Sequence, residues 1–401
     1  MWRPLIIGEQ REQVIAVVRD LVYVIAQIEP RDAIDHADRA LLRAQLAHGD
    51  VVVDPDDESG AALGDAVDRL ARSRQMLGLF CGTAGIGRAV ARLAQGDVAQ
   101  LVCERVDAAL ARAVDDDAEH YDLIAGITGF GVYALARAAE GRPLAARVVH
   151  ALARRARPRS TGLAWHTAPA LLPASQREHA PNGYWNLGLA HGTPGVVAFL
   201  ARCIAADVER ELATTLVEGA VAFLHAVAGD GDGARYGTWI PGAADDTDAR
   251  AVPSPALAWC YHDLGVALAL LSAAIVTGRA AWQDDALALA RDCARRPDAD
   301  ARISGSTLCH GAAGAAHIFQ RLHHATGELL FADAARRWLD RALRMDPPVA
   351  EAATAEEAAV KRLDPSLLSG AAGVALALHA AITDVEPTWD DVMLVDLAAI
   401  T

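Results

Sequence analysis

The stretch TLCHGAAG, residues 307–314, sets Cys309 beside His310 immediately before two glycines three apart. A second cysteine, Cys260, lies in AWCYHDLG, residues 258–265. Thiolate and imidazole are the donors that zinc takes, and a thiolate is also a nucleophile. The Cys–His pair is therefore open to several readings: a structural zinc corner, a nucleophile with its base, half of a metal site completed elsewhere, or an incidental core pair.

Repetition along the chain narrows the choice. The pattern around Cys309 has relatives in LFCGTAGIGRAVARL from Leu79, LIAGITGFGVYALARA from Leu123, GLAHGTPGVVAFLAR from Gly188, AWCYHDLGVALALLSA from Ala258 and LLSGAAGVALALHAA from Leu367. Each copy is a short turn opening an apolar helix. Glycines at such a turn give backbone freedom and remove Cβ atoms, so the turn packs closely while its N–H groups point outward from the helix start. The first repeat glycine falls at 82, 126 and 192, is replaced by His262, and returns at 311 and 370, which gives intervals of 44, 66, 70, 49 and 59. Each interval accommodates an inner helix and a returning outer one, with surplus in the middle for longer loops. An all-α fold follows, an α/α toroid whose inner helices converge their N-termini on a central cavity; an open solenoid of helical hairpins shares the same periodicity.

The repeat also aligns the chemistry. Two residues before the first glycine position stand Phe80, Ile124, Ala190, Cys260, Cys309 and Leu368; one before it stand Cys81, Ala125, His191, Tyr261, His310 and Ser369. Cys260 and Cys309 thus hold one repeat position. In a ring, adjacent turns present both thiols to one place, with His310 beside one of them and His191 on an earlier turn. Cys260, Cys309 and His310 make a Cys2His set for Zn2+, and three protein ligands leave a fourth position open, as in catalytic rather than structural zinc sites.

The elements that must position these residues read as helices throughout. REQVIAVVRDLVYVIAQIE, LGDAVDRLARSRQML, ERELATTLVEGAVAFLHAVAG and FADAARRWLDRALRM carry apolar residues at three- and four-residue spacing, and alternating β-branched patterns are almost absent. Loops are predicted at RRPDADARISG and LPASQREHAPNG, and solvated connections at PRSTGLAW and DPDDESG. Residues 1–75 supply N-terminal helices that join the toroid, and residues 76–401 form the toroid with the zinc site. WHTAPALLPASQREHAPNGYWNLG, from Trp165, either lines a peptide groove or is an ordinary long loop.

Composition sets the outer limits. The 401 residues are 53% hydrophobic with a formal charge of −15, ample for a core and without a basic run, which argues against nucleic acid or an anionic membrane as partner. The apolar stretch 264–278 is shorter than the roughly 20 residues a bilayer span needs and reads as a buried helix. The N-terminal stretch lacks the pattern of an export signal, so a cytoplasmic location is expected. The six dispersed cysteines then favour thiol or metal chemistry over disulfides.

YDLIAGITG, NLGLAHGTPG, AWCYHDLG, LCHGAAG and WDDVMLVDLAAI resemble, in this order, the motifs of the lanthionine synthetase C family, the cyclases of lanthipeptide biosynthesis. The resemblance runs from about Leu77 to the C-terminus. It implies an α/α toroid, zinc-dependent formation of thioether rings in a dehydrated precursor peptide, and Cys260, Cys309 and His310 as the zinc ligands. It also makes His191 the acid/base histidine, Asp122 the motif aspartate and Tyr261 the tyrosine after the first zinc cysteine. Read as residues alone, Asp122 is equally a helix-start cap, and Tyr261 reads more readily as a buried ring with a satisfied hydroxyl. His323 and His324 read as surface or packing residues. Two positions depart from the family pattern. His262 stands where glycine is usual, altering the turn or adding a polar group to the cavity. Ala256 stands where an arginine often precedes the first zinc cysteine, with Arg250 further away.

The resemblance implies a separate dehydratase as partner, since no dehydratase motif is present, and an export transporter completes the expected set. Other readings are a zinc-stabilised, non-catalytic scaffold for a peptide-modifying complex, a protein prenyltransferase β subunit, whose motifs do not match, and a toroidal glycosidase. The last needs two carboxylates on the cavity rim, where only Asp122 and Asp263 lie near repeat tips.

Overall fold

The computed structural model describes all residues except 1, 50, 55, 117–118, 230–232, 243–250, 351–362 and 401. The chain divides into two compact units, residues 75–302 on one hand and residues 1–74 with 303–401 on the other.

The unit of residues 75–302 is built from helix pairs. Helices α4 (Thr83–Leu93), α6 (Ile127–Ala136), α9 (Thr193–Ala205) and α11 (His262–Thr277) are the ones that follow the repeat turns. They are small and apolar on nearly every face and are buried accordingly, α11 from Asp263 to Ala274 without a break. In each pair the next long helix returns over the first: α5 (Asp97–Asp115), α7 (Arg142–Arg155), α10 (Arg210–Val227) and α12 (Ala280–Arg295). These covering helices have one apolar stripe and a charged face, so burial is confined to that stripe, as in Leu144, Val148, Val149 and Leu152 of α7. α4 packs on α6, α6 on α9 and α9 on α11, so the buried helices form one continuous series.

The other unit repeats the scheme. α13 (Ala312–Thr326) and α15 (Ala371–Ile382) are the buried members, α14 (Leu329–Ala342) covers α13, and α15 packs against α1 (Glu9–Ala26), α2 (Ala33–Ala47) and α13. α3 (Glu58–Arg72) lies on α2 and is capped by Asp57, so the expected connection DPDDESG ends inside a helix. His323 and His324 do serve packing: His324 stacks on Trp2 with ring centroids 4.0 Å apart, and His323 Nδ1 meets the Glu328 carbonyl at 2.9 Å.

The repeat glycines are required by close approach rather than by an unusual φ. A Cβ on Gly311 would lie 2.2 Å from the Thr307 nitrogen, and one on Gly314 would lie 1.9 Å from the Leu308 carbonyl oxygen. The first glycine therefore closes the turn, and the second lets the helix start pass directly against it.

Strands appear where none were expected. β1 (Arg157–Pro158) and β2 (Leu163–Ala164) form a two-stranded hairpin; β3 (His166–Thr167), β4 (Tyr184–Asn186) and β5 (Trp239–Pro241) form an antiparallel sheet in the order β3-β4-β5. PRSTGLAW is thus a hairpin ending on the fully buried Trp165, and the segment LPASQREHAPNG contains a short helix, α8 (Ala174–His179). Strands of two or three residues are too short for alternation to register, which is why the pattern was invisible.

Candidate functional site

The repeat turns are joined edge to edge by backbone hydrogen bonds. Leu79 donates to the Ile124 carbonyl, Leu123 to Ala190 and Ala190 to Cys260; in the other unit Cys309 donates to Leu368. The accepting residue is in every case the one two before the tip glycine position. The acceptor position is thus the same in all four, while the donor stands three residues before the tip position at Leu79 and Leu123 and two before it at Ala190 and Cys309.

Asp122 and His191, on neighbouring turns, meet through this ladder. His191 Nδ1 donates to Asp122 Oδ2 at 2.6 Å. Asp122 Oδ1 accepts from the backbone N–H groups of Ala125 and Gly126 at 2.9 and 3.0 Å. Asp122 makes both contacts at once: one oxygen caps the turn opening α6 and the other bonds the histidine. Burial opposes the Asp122 charge, yet the hydrogen bond and charge of His191 together with the Ala125 N–H hold the carboxyl below its usual range. Burial likewise opposes the imidazolium, but the hydrogen bond and charge of Asp122 raise His191 above its ordinary value. With Nδ1 committed to the carboxylate, Nε2 is the atom left for proton exchange.

Tyr261 closes the same site from the third turn. Asn186, fully buried in β4, accepts the Gly188 N–H on Oδ1 at 2.8 Å, which fixes its amide so that Nδ2 donates to the Tyr261 hydroxyl oxygen at 3.4 Å. The phenol oxygen is thereby an acceptor toward Asn186 and keeps its own proton for another partner. Burial raises the phenol well above its usual value, so it remains a neutral donor. Neither Asn186 nor its orienting role was predicted; its place two residues before Gly188 in the NLGLAHG motif was the signal.

A cavity of about 260 Å³ is lined by Asp122, His191 and Tyr261 together with Leu171, Gln176 and Tyr184. A larger one, of about 600 Å³, lies between Arg235 and Arg296, but Arg296 is committed to Asp263 at 2.7 Å and to the Pro255 carbonyl, and none of the three candidate catalytic residues lines it.

Cys260 is buried at the turn opening α11 in the unit of residues 75–302; Cys309, half-buried, and His310, exposed, stand at the turn opening α13 in the other unit. Two thiols and one imidazole match the donor preference of zinc, and the two thiols hold equivalent repeat positions. None of the six cysteines is disulfide-bonded.

His262 takes φ 68°, the left-handed region. The departure from glycine thus alters the turn, as the first of the two expectations had it. The cost of a non-glycine residue there is met in part by Asp263, wholly buried next to it, which accepts the Arg235 and Tyr236 N–H groups as well as Arg296. Burial pushes His262 below its ordinary value, and its Nδ1 has no hydrogen-bond partner. Ala256 offers no charge, and Arg250 lies outside the described residues.

The sequence matches the family described as lanthionine synthetase C-like protein over residues 49–394, most of its length, and the chain belongs to that family. Among solved structures it is similar to nisin cyclase, with a TM-score of 0.72 and 17% identity over 96% of each chain. The shared fold is a helical toroid, the architecture expected from the repeats. No curated protein matches the sequence. No helix among the described residues is long and apolar enough to cross a membrane, and 264–278 is a buried helix as expected.

Proposed function

We propose that the protein is a zinc-dependent lanthipeptide cyclase, closing (methyl)lanthionine rings by intramolecular addition of precursor-peptide cysteine thiols to dehydroalanine or dehydrobutyrine. The reading is carried by one observation: a Cys2His donor set and a carboxylate-held histidine occupy equivalent turns of one repeat, in a chain of the lanthionine synthetase C-like family.

Cys260, Cys309 and His310 are the residues that would hold the metal. Zinc bound there supplies a Lewis acid that lowers the pKa of the peptide thiol, while two cysteine thiolates keep the metal electron-rich and the sulfur nucleophilic. The rest of the work belongs to the chain. As the sulfur bonds to Cβ, the electrons of the carbon–carbon double bond move onto the neighbouring carbonyl oxygen. Tyr261 donates its hydroxyl proton as a hydrogen bond to that oxygen, a neutral donor in a chain that has Ala256 where the family often has arginine. The thiol gives up its proton to solvent on becoming a thiolate; after the addition His191 transfers its Nε2 proton to Cα and is reprotonated from solvent, so the peptide loses and gains one proton. Asp122 holds the ring in the orientation and charge state that this transfer requires. The substrate arrives dehydrated by a separate dehydratase, the reaction takes place in the cytoplasm, and the product leaves through an export transporter.

Ring closure leaves the peptide mass unchanged, so it is read as loss of alkylatable thiol from a dehydrated peptide. Wild-type protein should contain about one zinc per chain and consume thiols. Cys260→Ala and Cys309→Ala should lose both while retaining helical content. Undiminished ring closure by Cys309→Ala sinks the mechanism, and bound zinc without ring closure on any dehydrated peptide favours the scaffold.

A further inference from the structure

Part of the lining of the cavity that holds His191 comes from the segment that lengthens the interval between the second and third repeat turns. It begins with a 3-10 turn, Pro169–Leu171, continues through α8 and returns along β4. This wall has a small core of its own: Leu172, Ala180 and Tyr184 pack together, with Trp239 of β5 stacked on Tyr184 at 5.2 Å between ring centroids. Two hydrogen bonds stiffen it further, Arg177 to the Leu172 carbonyl at 2.9 Å and the Tyr184 hydroxyl to Gln176 Oε1 at 3.1 Å. A wall held this way keeps its shape whether or not the cavity is filled.

Its inner surface is mixed. Leu171, Pro173 and the Tyr184 ring are apolar, while Gln176, whose Oε1 accepts from the Tyr184 hydroxyl, brings a carboxamide to the lining. An apolar lining that includes a carboxamide suits one residue of an extended peptide, with a place for its side chain and a polar partner for its backbone. At about 260 Å³ the cavity is smaller than the roughly 300–1,000 Å³ of pockets that bury drug-sized ligands, so it takes one or two residues rather than a folded segment.

We infer that this cavity is a side-chain subsite for the residue flanking the dehydroamino acid, and that Leu171 sets the size of side chain it admits. The inference rests on the cyclase reading and deepens it. With Asp122, His191 and Tyr261 in the same lining, a peptide whose reacting Cα lies at His191 places a neighbouring residue against Leu171 and Gln176. With the peptide backbone also inside about 260 Å³, a small or medium apolar side chain is accommodated ahead of an indole.

The test uses the full-length protein and dehydrated peptides that differ only in the flanking residue, Gly, Leu or Trp. Each peptide is made in a cyclisable form and in a form with serine in place of the reacting cysteine. Ring closure is followed on the first and binding on the second. Wild type should favour Leu over Trp by about tenfold or more, the discrimination a hydrophobic pocket gives for a change of this size. L171W should lose the Leu-flanked peptide by a similar factor and leave the Gly-flanked one within about twofold; L171A should recover the Trp-flanked peptide. The same order and ratios in all three proteins overturn the subsite. Failure of wild type to bind or cyclise any of the peptides overturns the cyclase reading itself, and the subsite with it; cyclisation with an unchanged preference overturns the subsite alone.

Discussion

Asp122 carries two duties on one carboxylate, and its substitutions separate them. Asn at 122 keeps an oxygen for the Ala125 and Gly126 N–H groups but turns an N–H toward His191 Nδ1, which must then accept instead of donate. Asp122→Asn should therefore retain zinc and melt within about 1 kcal/mol of wild type while losing turnover by about 10²-fold or more, measured by thiol alkylation and metal analysis on the same preparation. Asp122→Ala should add a stability loss of about 1 kcal/mol from the missing cap. His191→Ala should match the turnover loss of Asp122→Asn and leave zinc bound. Zinc loss equal to that of Cys309→Ala would instead make His191 a ligand.

At the scale of the element, the repeat turn is the unit that matters, because its glycines allow the backbone to fold back within contact of the helix it opens. Gly314 is as tight as Gly82 and Gly373, with the Leu308 carbonyl oxygen 1.9 Å from where a Cβ would stand, one residue before Cys309. Gly314→Ala should cost on the order of 1–3 kcal/mol in thermal unfolding and lower zinc occupancy by shifting the turn that bears Cys309 and His310. Gly305, with open space around its Cβ direction, is the control, and Gly305→Ala should leave both unchanged. Equal behaviour of the two variants would remove the close-packing account of the repeat.

Across the whole molecule, stability should depend on pH through a residue remote from the chemistry. His379 of α15 is fully buried, neither ring nitrogen has a hydrogen-bond partner, and burial lowers its pKa to about 4, with the charge of His48 adding to the effect. The unfolded chain binds this proton below an ordinary value near 6.5, the folded chain only below about 4. Between those values the unfolded state holds more protons, so stability falls as pH falls through the window, by on the order of 2–3 kcal/mol, and is fully present above it. Thermal melts of wild type should decline between pH 6.5 and 4, and His379→Leu should flatten that decline. An identical slope in both proteins would assign the acid sensitivity to other groups, such as Asp390, whose buried carboxylate is held low by Arg321 and His317.

What the sequence determined by itself was the repeat, and with it the buried helices, the toroidal fold and the choice of Cys260, Cys309, His310, Asp122, His191 and Tyr261 as the residues to watch. Helical periodicity and glycine spacing are local properties, and aligning the copies was enough to put equivalent residues on equivalent turns. The tertiary structure decided the rest: that Asp122 both caps a turn and holds His191, that Asn186 turns the Tyr261 hydroxyl proton free, that His262 is carried at positive φ beside the buried Asp263–Arg296 pair, and that short strands and α8 build part of the lining of the cavity that holds the catalytic candidates. Those features join residues tens of positions apart through single hydrogen bonds or strands of two or three residues. Nothing in local periodicity encodes such pairings; they exist once the helices have packed.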